Sequence, residues 1–317
     1  MVKNVAFWSN QLCERGTEVA LFDYASFNET ILGNRSHVLF PRSNPRNKPA
    51  VVQRFQEHFQ SFTPVSSFNS VNQVLEKLNV EYFYIIKHGK KDGLLVSAAK
   101  NCVHAVFTAT EPHGDFFATI SPDVPGNQGK YPVVPHMVSL PNVSGDLRDE
   151  LAIPPSSTVF GGFGGPKSFD IEFVHRIVYQ IAQKRSDVFF LFANFPQFCE
   201  SLPNILHLPC IYDQSRKARF INTCDAMLWA RSAGETFGLA IAEFSSFNKP
   251  VIAAKVGDLS HVRLLGKKAF WYSSQNDLKT ILEGFNRSEV RDLDWNAFRE
   301  YRPQVVMQQF SDVFLGG

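Results

Sequence analysis

No two cysteines in this chain have the spacing of a metal knuckle or a redox pair. The five of them, Cys13, Cys102, Cys199, Cys210 and Cys224, are odd in number and widely separated. That argues against structural zinc and a disulfide framework and favours a reducing compartment, the cytoplasm. Long apolar runs are also lacking. None approaches the length of a membrane span, and the opening Met1-Val-Lys-Asn-Val-Ala-Phe-Trp has no signal-peptide core and reads as a first strand. A transmembrane segment is therefore not expected, while peripheral contact with a membrane stays open. Charge of one sign is scarce: 32 Lys+Arg face 30 Asp+Glu, a formal net charge of +2. Without a long basic run, nucleic acid is not an expected partner. Internal repeats and low-complexity segments are absent.

What is present is an ordinary globular composition, 44% hydrophobic and 20% charged over 317 residues, enough for two domains. Thirty phenylalanines suit packed cores. Apolar runs alternate with helical patterns, which predicts an α/β protein with parallel sheets. In the first half the strands are Val5–Trp8, His37–Phe40, Tyr82–Ile86, Val103–Phe107 and Tyr131–Val134. Helices are expected over Thr17–Leu32, Val51–Gln60 and Val71–Leu78. The proline-rich stretch from Pro135 to Ser156 reads as a crossing between domains, giving a first domain of residues 1–138 and a second of 139–317. The second half restarts at Thr158–Phe160. It continues with a helix carrying Val174, Ile177, Val178 and Ile181 at helical spacing, then strands Val188–Phe192, Ile205–Leu208, Ala226–Ala230 and Val251–Ala254. A last helix, about Gln304 to Leu315, is expected to pack back on the first domain.

The densest chemical signal is Gly234-Glu-Thr-Phe-Gly-Leu-Ala-Ile-Ala-Glu243, between two of those strands. Phe237-Gly238-Leu239 opens an apolar helix, and a helix N-terminus with a close-approach glycine suits a phosphate. Glu235 and Glu243 flank that turn and suit hydroxyl groups, which donate charge-assisted hydrogen bonds to carboxylates. Phosphate between hydroxyl-bearing rings describes a nucleotide-sugar. A plain amphipathic helix explains Leu239, Ile241 and Ala242, but not the acid Glu243 in an otherwise apolar run.

Asp225-Ala-Met-Leu-Trp, the Gly234–Glu243 block and Lys249-Pro-Val-Ile-Ala together resemble the E-x7-E region of retaining GT-B glycosyltransferases of the glycogen-synthase-like group. The resemblance implies two doubly wound Rossmann-like domains facing across a cleft. It implies a first glutamate, Glu235, on the donor sugar and a second, Glu243, on the ribose. Backbone amides near Thr236, Phe237, Gly238 and Leu239 would meet the diphosphate. In Gly161-Gly-Phe-Gly-Gly-Pro-Lys167, Lys167 falls on the family's diphosphate lysine, whereas Gly162 occupies the place of its arginine; Arg231 is the candidate substitute. Arg15-Gly16-Thr17-Glu18 resembles the G-G-x-E loop by which the first domain nears the donor phosphates, so Gly16 and Thr17 join the donor site. His113, in the polar loop Thr110–Asp115, is placed as the family's first-domain histidine near the donor sugar, with Asp115 and His88 as lesser candidates.

Competing motifs fall away. Pro166 stands where a phosphate-binding Walker loop needs glycine, and Lys167 where G-x-G-x-x-G needs its third. Asp292-Leu-Asp294, a D-x-D in a charged segment, reads as surface, so no metal site is expected. The resemblance thus implies a metal-independent retaining glycosyltransferase with no cofactor, using a UDP- or GDP-sugar donor and a carbohydrate or glycoconjugate acceptor. The alternatives are a GT-B-type nucleotide-sugar 2-epimerase or a non-catalytic nucleotide-sugar-binding protein.

Overall fold

The computed structural model describes residues 2–316. Two compact units make up the chain, Met1–Ser139 with Glu300–Gly317, and Leu140–Arg299. The first begins β1 (Asn4–Trp8), α1 (Gly16–Thr30), β2 (Arg35–Pro41), α2 (Pro49–His58), β3 (Ser61–Val65) and α3 (Val71–Lys77). It continues β4 (Tyr82–Lys87), β5 (Lys100–Ala105) and β6 (Phe116–Thr119). All six strands are parallel, in the order β3-β2-β1-β4-β5-β6. Central strands of such a sheet are covered on both faces, which is why β1 and β4 read as continuous apolar runs. Alternate residues divide between two cores. Trp8, Phe83 and Val103 pack with Leu75 of α3 on one face, while Phe7 and Tyr84 meet on the other.

The second unit runs β7 (Thr158–Phe163), α4 (Glu172–Lys184), β8 (Val188–Ala193), β9 (Ile205–Leu208), α5 (Gln214–Thr223), β10 (Ala226–Trp229) and β11 (Gly234–Glu235). Then come α6 (Leu239–Ser246), β12 (Val251–Ala254), β13 (Asp258–Leu259), α7 (Ser260–Leu265), β14 (Ala269–Tyr272), α8 (Gln275–Gly284) and α9 (Arg287–Val290). Its six-stranded parallel sheet is ordered β9-β8-β7-β10-β12-β14, the same winding as the first. The two-residue strands β11 and β13 pair separately. In each sheet the winding reverses between the first and fourth strands, and the crevice at their carboxyl ends is where open α/β sheets bind ligands. Finally α10 (Pro303–Phe314) belongs to the first unit, setting Phe310 and Phe314 edge-on against Tyr84.

Residues 135–156 contain no helix or strand. Buried Arg148 fastens this segment within the second unit, bonding Ser157 O at 2.9 Å and Asp225 at 3.1 Å. Several strands differ from the sequence reading. Tyr131–Val134 contributes only a single bridge, Thr119 to Val133, and the sixth strand is β6. The edge strands β3 and β14 carried no periodic signal because they are only partly covered. Pro64 inside β3 removes an N–H, tolerable on an edge. The strand expected at Val103–Phe107 is β5, starting and ending earlier, and that shift matters below.

Candidate functional site

In the second unit the chain leaves β7 and β10 on adjacent strands at the winding reversal, so their following loops meet. They are tied directly: Asp170 accepts from Ser232 N and Oγ, both at 2.7 Å, and its own N–H donates to Ala230 O at 2.9 Å. Asn194, just after β8, donates to Gly164 O at 2.7 Å. These bonds hold the loop bearing Lys167, whose side chain is exposed, beside the loop bearing Arg231.

Arg231 reaches Glu235, Nη1 to Oε2 at 3.0 Å, and Trp229 Nε1 donates to the other oxygen at 3.3 Å. Burial raises the Glu235 pKa above the usual carboxylate value, opposed by Arg231 and Trp229. Its backbone is fixed by the β11–β13 pairing, which needs Gly234 at φ +71 and Gly257 at φ +65, each pressed on the opposite strand. Beneath lies buried His261, ring 4.5 Å from Trp229, bonded to Asp258 O and Ala254 O.

Gly238 caps α6 in the left-handed region at φ +84. A Cβ there would stand 3.2 Å from Glu235 Cγ, so the carboxylate-bearing chain lies against the helix start. The first helical bond back is Ala242 N to Gly238 O, leaving the N–H groups of Leu239, Ala240 and Ile241 without intrahelical acceptors. Thr236 and Phe237 are buried, Phe237 edge-on to Phe298. Glu235, Arg231, Gly238 and the first amides of α6 therefore converge.

Glu243 is buried and has a partner that the sequence reading missed: Lys217 Nζ of α5 at 2.7 Å, itself buried and 5.4 Å over the Phe163 ring. The available signal was a lone lysine among Ala218, Phe220 and Ile221 on the buried face of α5, matching a lone acid on α6. Gly162 lies buried within β7, and a Cβ there would come 2.8 Å from Leu228 O of β10. Any side chain, arginine included, requires the strands to part, which accounts for the glycine.

In the first unit, Gly16 and Thr17 open α1 at the carboxyl end of β1. Thr17 Oγ1 donates to the buried Glu18, whose carboxyl is pushed up to about 7 by burial. The structure corrects the placement of His113. Asp115, two residues on, is bonded to Asn101 near the amino end of β5, so His113 leads into β6 at the end of the sheet opposite Gly16. Its Nδ1 engages Glu111 O at 2.7 Å. The histidine at the carboxyl ends is His88, exposed directly after β4, with its ring 5.3 Å from the exposed Phe107. Asp294 of the D-x-D pairs with Lys268 and Arg299 at 2.8 and 2.9 Å.

No protein-family model and no curated protein sequence matches the chain. Solved structures do. HepE of Anabaena, crystallised with UDP-glucose, superposes with a TM-score of 0.69 at 15% identity over 98% of this chain and 95% of its own. A glycosyltransferase from Rickettsia africae gives 0.66 at 12%, covering 99% and 94%. The sucrose-phosphate synthase of Thermosynechococcus elongatus gives 0.63 at 13%, covering 98% and 95%. No described helix is long and apolar enough to cross a membrane. With two parallel six-stranded sheets of one winding and these neighbours, the chain has the GT-B fold.

Proposed function

We propose that the protein is a glycosyltransferase that moves a sugar from a nucleotide-sugar to an acceptor hydroxyl, with retention at the anomeric carbon and without a metal or other cofactor. The observation that carries this reading is Glu235 held against the N-terminus of α6 at the winding reversal, beside Arg231 and the Lys167 loop. Glu235 orients the donor sugar through its hydroxyls. The α6 amides, Lys167 and the free edge of Arg231 stabilise the departing diphosphate as the sugar C1–O bond breaks. The acceptor oxygen then bonds C1 from the same face, its proton passing to a donor phosphate oxygen. Glu243, paired with Lys217, holds the ribose. Gly16 and Thr17 serve the donor from the first unit, with His88 rather than His113 as its histidine. A UDP-sugar is favoured over a GDP-sugar because the HepE structures hold UDP-glucose, or UDP and glucose. Five free cysteines favour work in the cytoplasm.

A non-catalytic nucleotide-sugar-binding protein is the second reading, favoured by the side chain that Gly162 cannot carry. A panel of UDP-, GDP- and ADP-sugars tests both, since a ligand selective for the folded state raises the Tm. Transfer predicts stabilisation by a UDP-sugar and slow UDP release, insensitive to EDTA. Glu235→Gln should abolish most release while leaving UDP affinity intact. Stabilisation without release favours the second reading, and no stabilisation by any of the donors removes both.

A further inference from the structure

The first unit contains a cavity of about 690 Å³ that the donor chemistry does not use. It runs along the edge strand β3 against α2, from Arg42 just after β2 to Gln60 just before β3. Its floor is Phe62, half-buried, stacked on Phe40 with ring centroids 4.8 Å apart and closed behind by Phe59. Its rim carries Gln56, Gln60 and Arg42, all exposed, with no acidic residue among the lining groups. Asn47, on the same rim, stiffens it: its carboxamide accepts from Leu12 N at 2.8 Å and donates to Pro41 O at 2.9 Å. Through Leu12 the Asn47 end of the rim joins the loop after β1, so that end of the groove lies at the same end of the sheet as Gly16 and Thr17.

Aromatic faces are electron-rich and attract the polarised C–H face of a pyranose. Carboxamide side chains satisfy its hydroxyls as both donors and acceptors. Arg42 offers a planar fork of N–H donors, the geometry that grips carboxylate or phosphate. Arg46 and Lys48, exposed on the same loop, add positive charge. Open clefts of this volume have room for a single sugar ring. We infer that this groove binds an anionic pyranose, a sugar phosphate or uronate, as part of the acceptor. This rests on the transferase reading for the word acceptor, though not for binding.

The test uses the full chain with glucose 6-phosphate, mannose 6-phosphate and glucuronate, against glucose and inorganic phosphate, by saturation-transfer NMR and calorimetry. At least one anionic sugar should bind ten-fold or more tightly than both controls. Arg42→Gln should lower it to the level of glucose, and Phe62→Ala to that of its bare anion. Both variants should keep the wild-type Tm within a few degrees and wild-type UDP affinity, which reports on the second unit. If no anionic sugar exceeds inorganic phosphate, or if binding survives both substitutions, the groove is not such a site. Loss of UDP binding with the groove intact would indict the transferase reading instead.

Discussion

Lys217 and Glu243 form the most consequential pair in the second unit, because each is buried and, among the described residues, neither has another ion-pair partner. Breaking a buried pair from one side leaves an uncompensated charge, typically about 3–5 kcal/mol. Lys217→Met should therefore cost stability on that scale, measured by urea unfolding, and should also weaken UDP binding if Glu243 holds the ribose. The double variant Lys217→Met/Glu243→Gln separates the roles: it should recover most of the stability and none of the affinity. Recovery of both would make Glu243 a purely structural acid. Glu18 offers a cleaner measurement. Its folded pKa, about 7, lies above the ordinary value near 4.5. The folded state thus binds the proton more tightly, and stability is lost as pH rises from about 4.5 through 7. At about 1.4 kcal/mol per unit, Glu18→Gln should gain about 3.5 kcal/mol at pH 8 and little at pH 4.5. Equal effects at both pH values would contradict a raised pKa.

At the scale of elements, the start of α6 is decided by one backbone angle. Gly238 at φ +84 turns the chain so that Glu235 lies under the helix start. In the left-handed region a Cβ costs about 1–2 kcal/mol, and here it would also crowd Glu235 Cγ. Gly238→Ala should lower stability by that amount and donor turnover by more than ten-fold, as the carboxylate is displaced. A stability loss with unchanged turnover would separate the helix start from catalysis. This turn was legible in the sequence, since a glycine between two acids before an apolar helix has few other uses. The Asp170–Ser232 tie between loops was not: the residues stand 62 positions apart, and only the adjacency of β7 and β10 brings them together. The same limit misplaced His113. Its segment looked like the loop following a strand, but β5 ends at Ala105 and the chain returns along the sheet before His113.

At the scale of the molecule, the acid limit of stability should come from the first unit. His104 and His136 are buried among Tyr24, Tyr84 and Phe314, with Tyr84 OH bonded to His104 Nδ1 at 2.7 Å. Burial lowers both pKa values, His104 well below its ordinary value and His136 to about 3. Both are depressed, so their full contribution is present above about 6.5 and is lost as pH falls toward the folded values. His37, His207 and His261, also depressed by burial, act in the same direction, and together they outweigh the single opposing change at Glu18. Unfolding free energy should accordingly fall as pH drops from 6 to 5, read from urea curves. A flat profile there would mean that the histidines accept protons in place.

The sequence by itself determined the α/β class, most strands of both sheets and the carboxylate-flanked turn, because these rest on local periodicity and on backbone needs carried by single residues such as Gly238. Tertiary structure alone decided which loops share an end of a sheet. It set His88 at the carboxyl ends of the first sheet and His113 at the other end, paired Glu243 with Lys217, turned Arg231 onto Glu235 and left Gly162 no room for a side chain. Each of these depends on strand order and on contacts between distant segments. Strand order is set by burying both faces of a sheet at once, a condition on the whole chain that no local window contains.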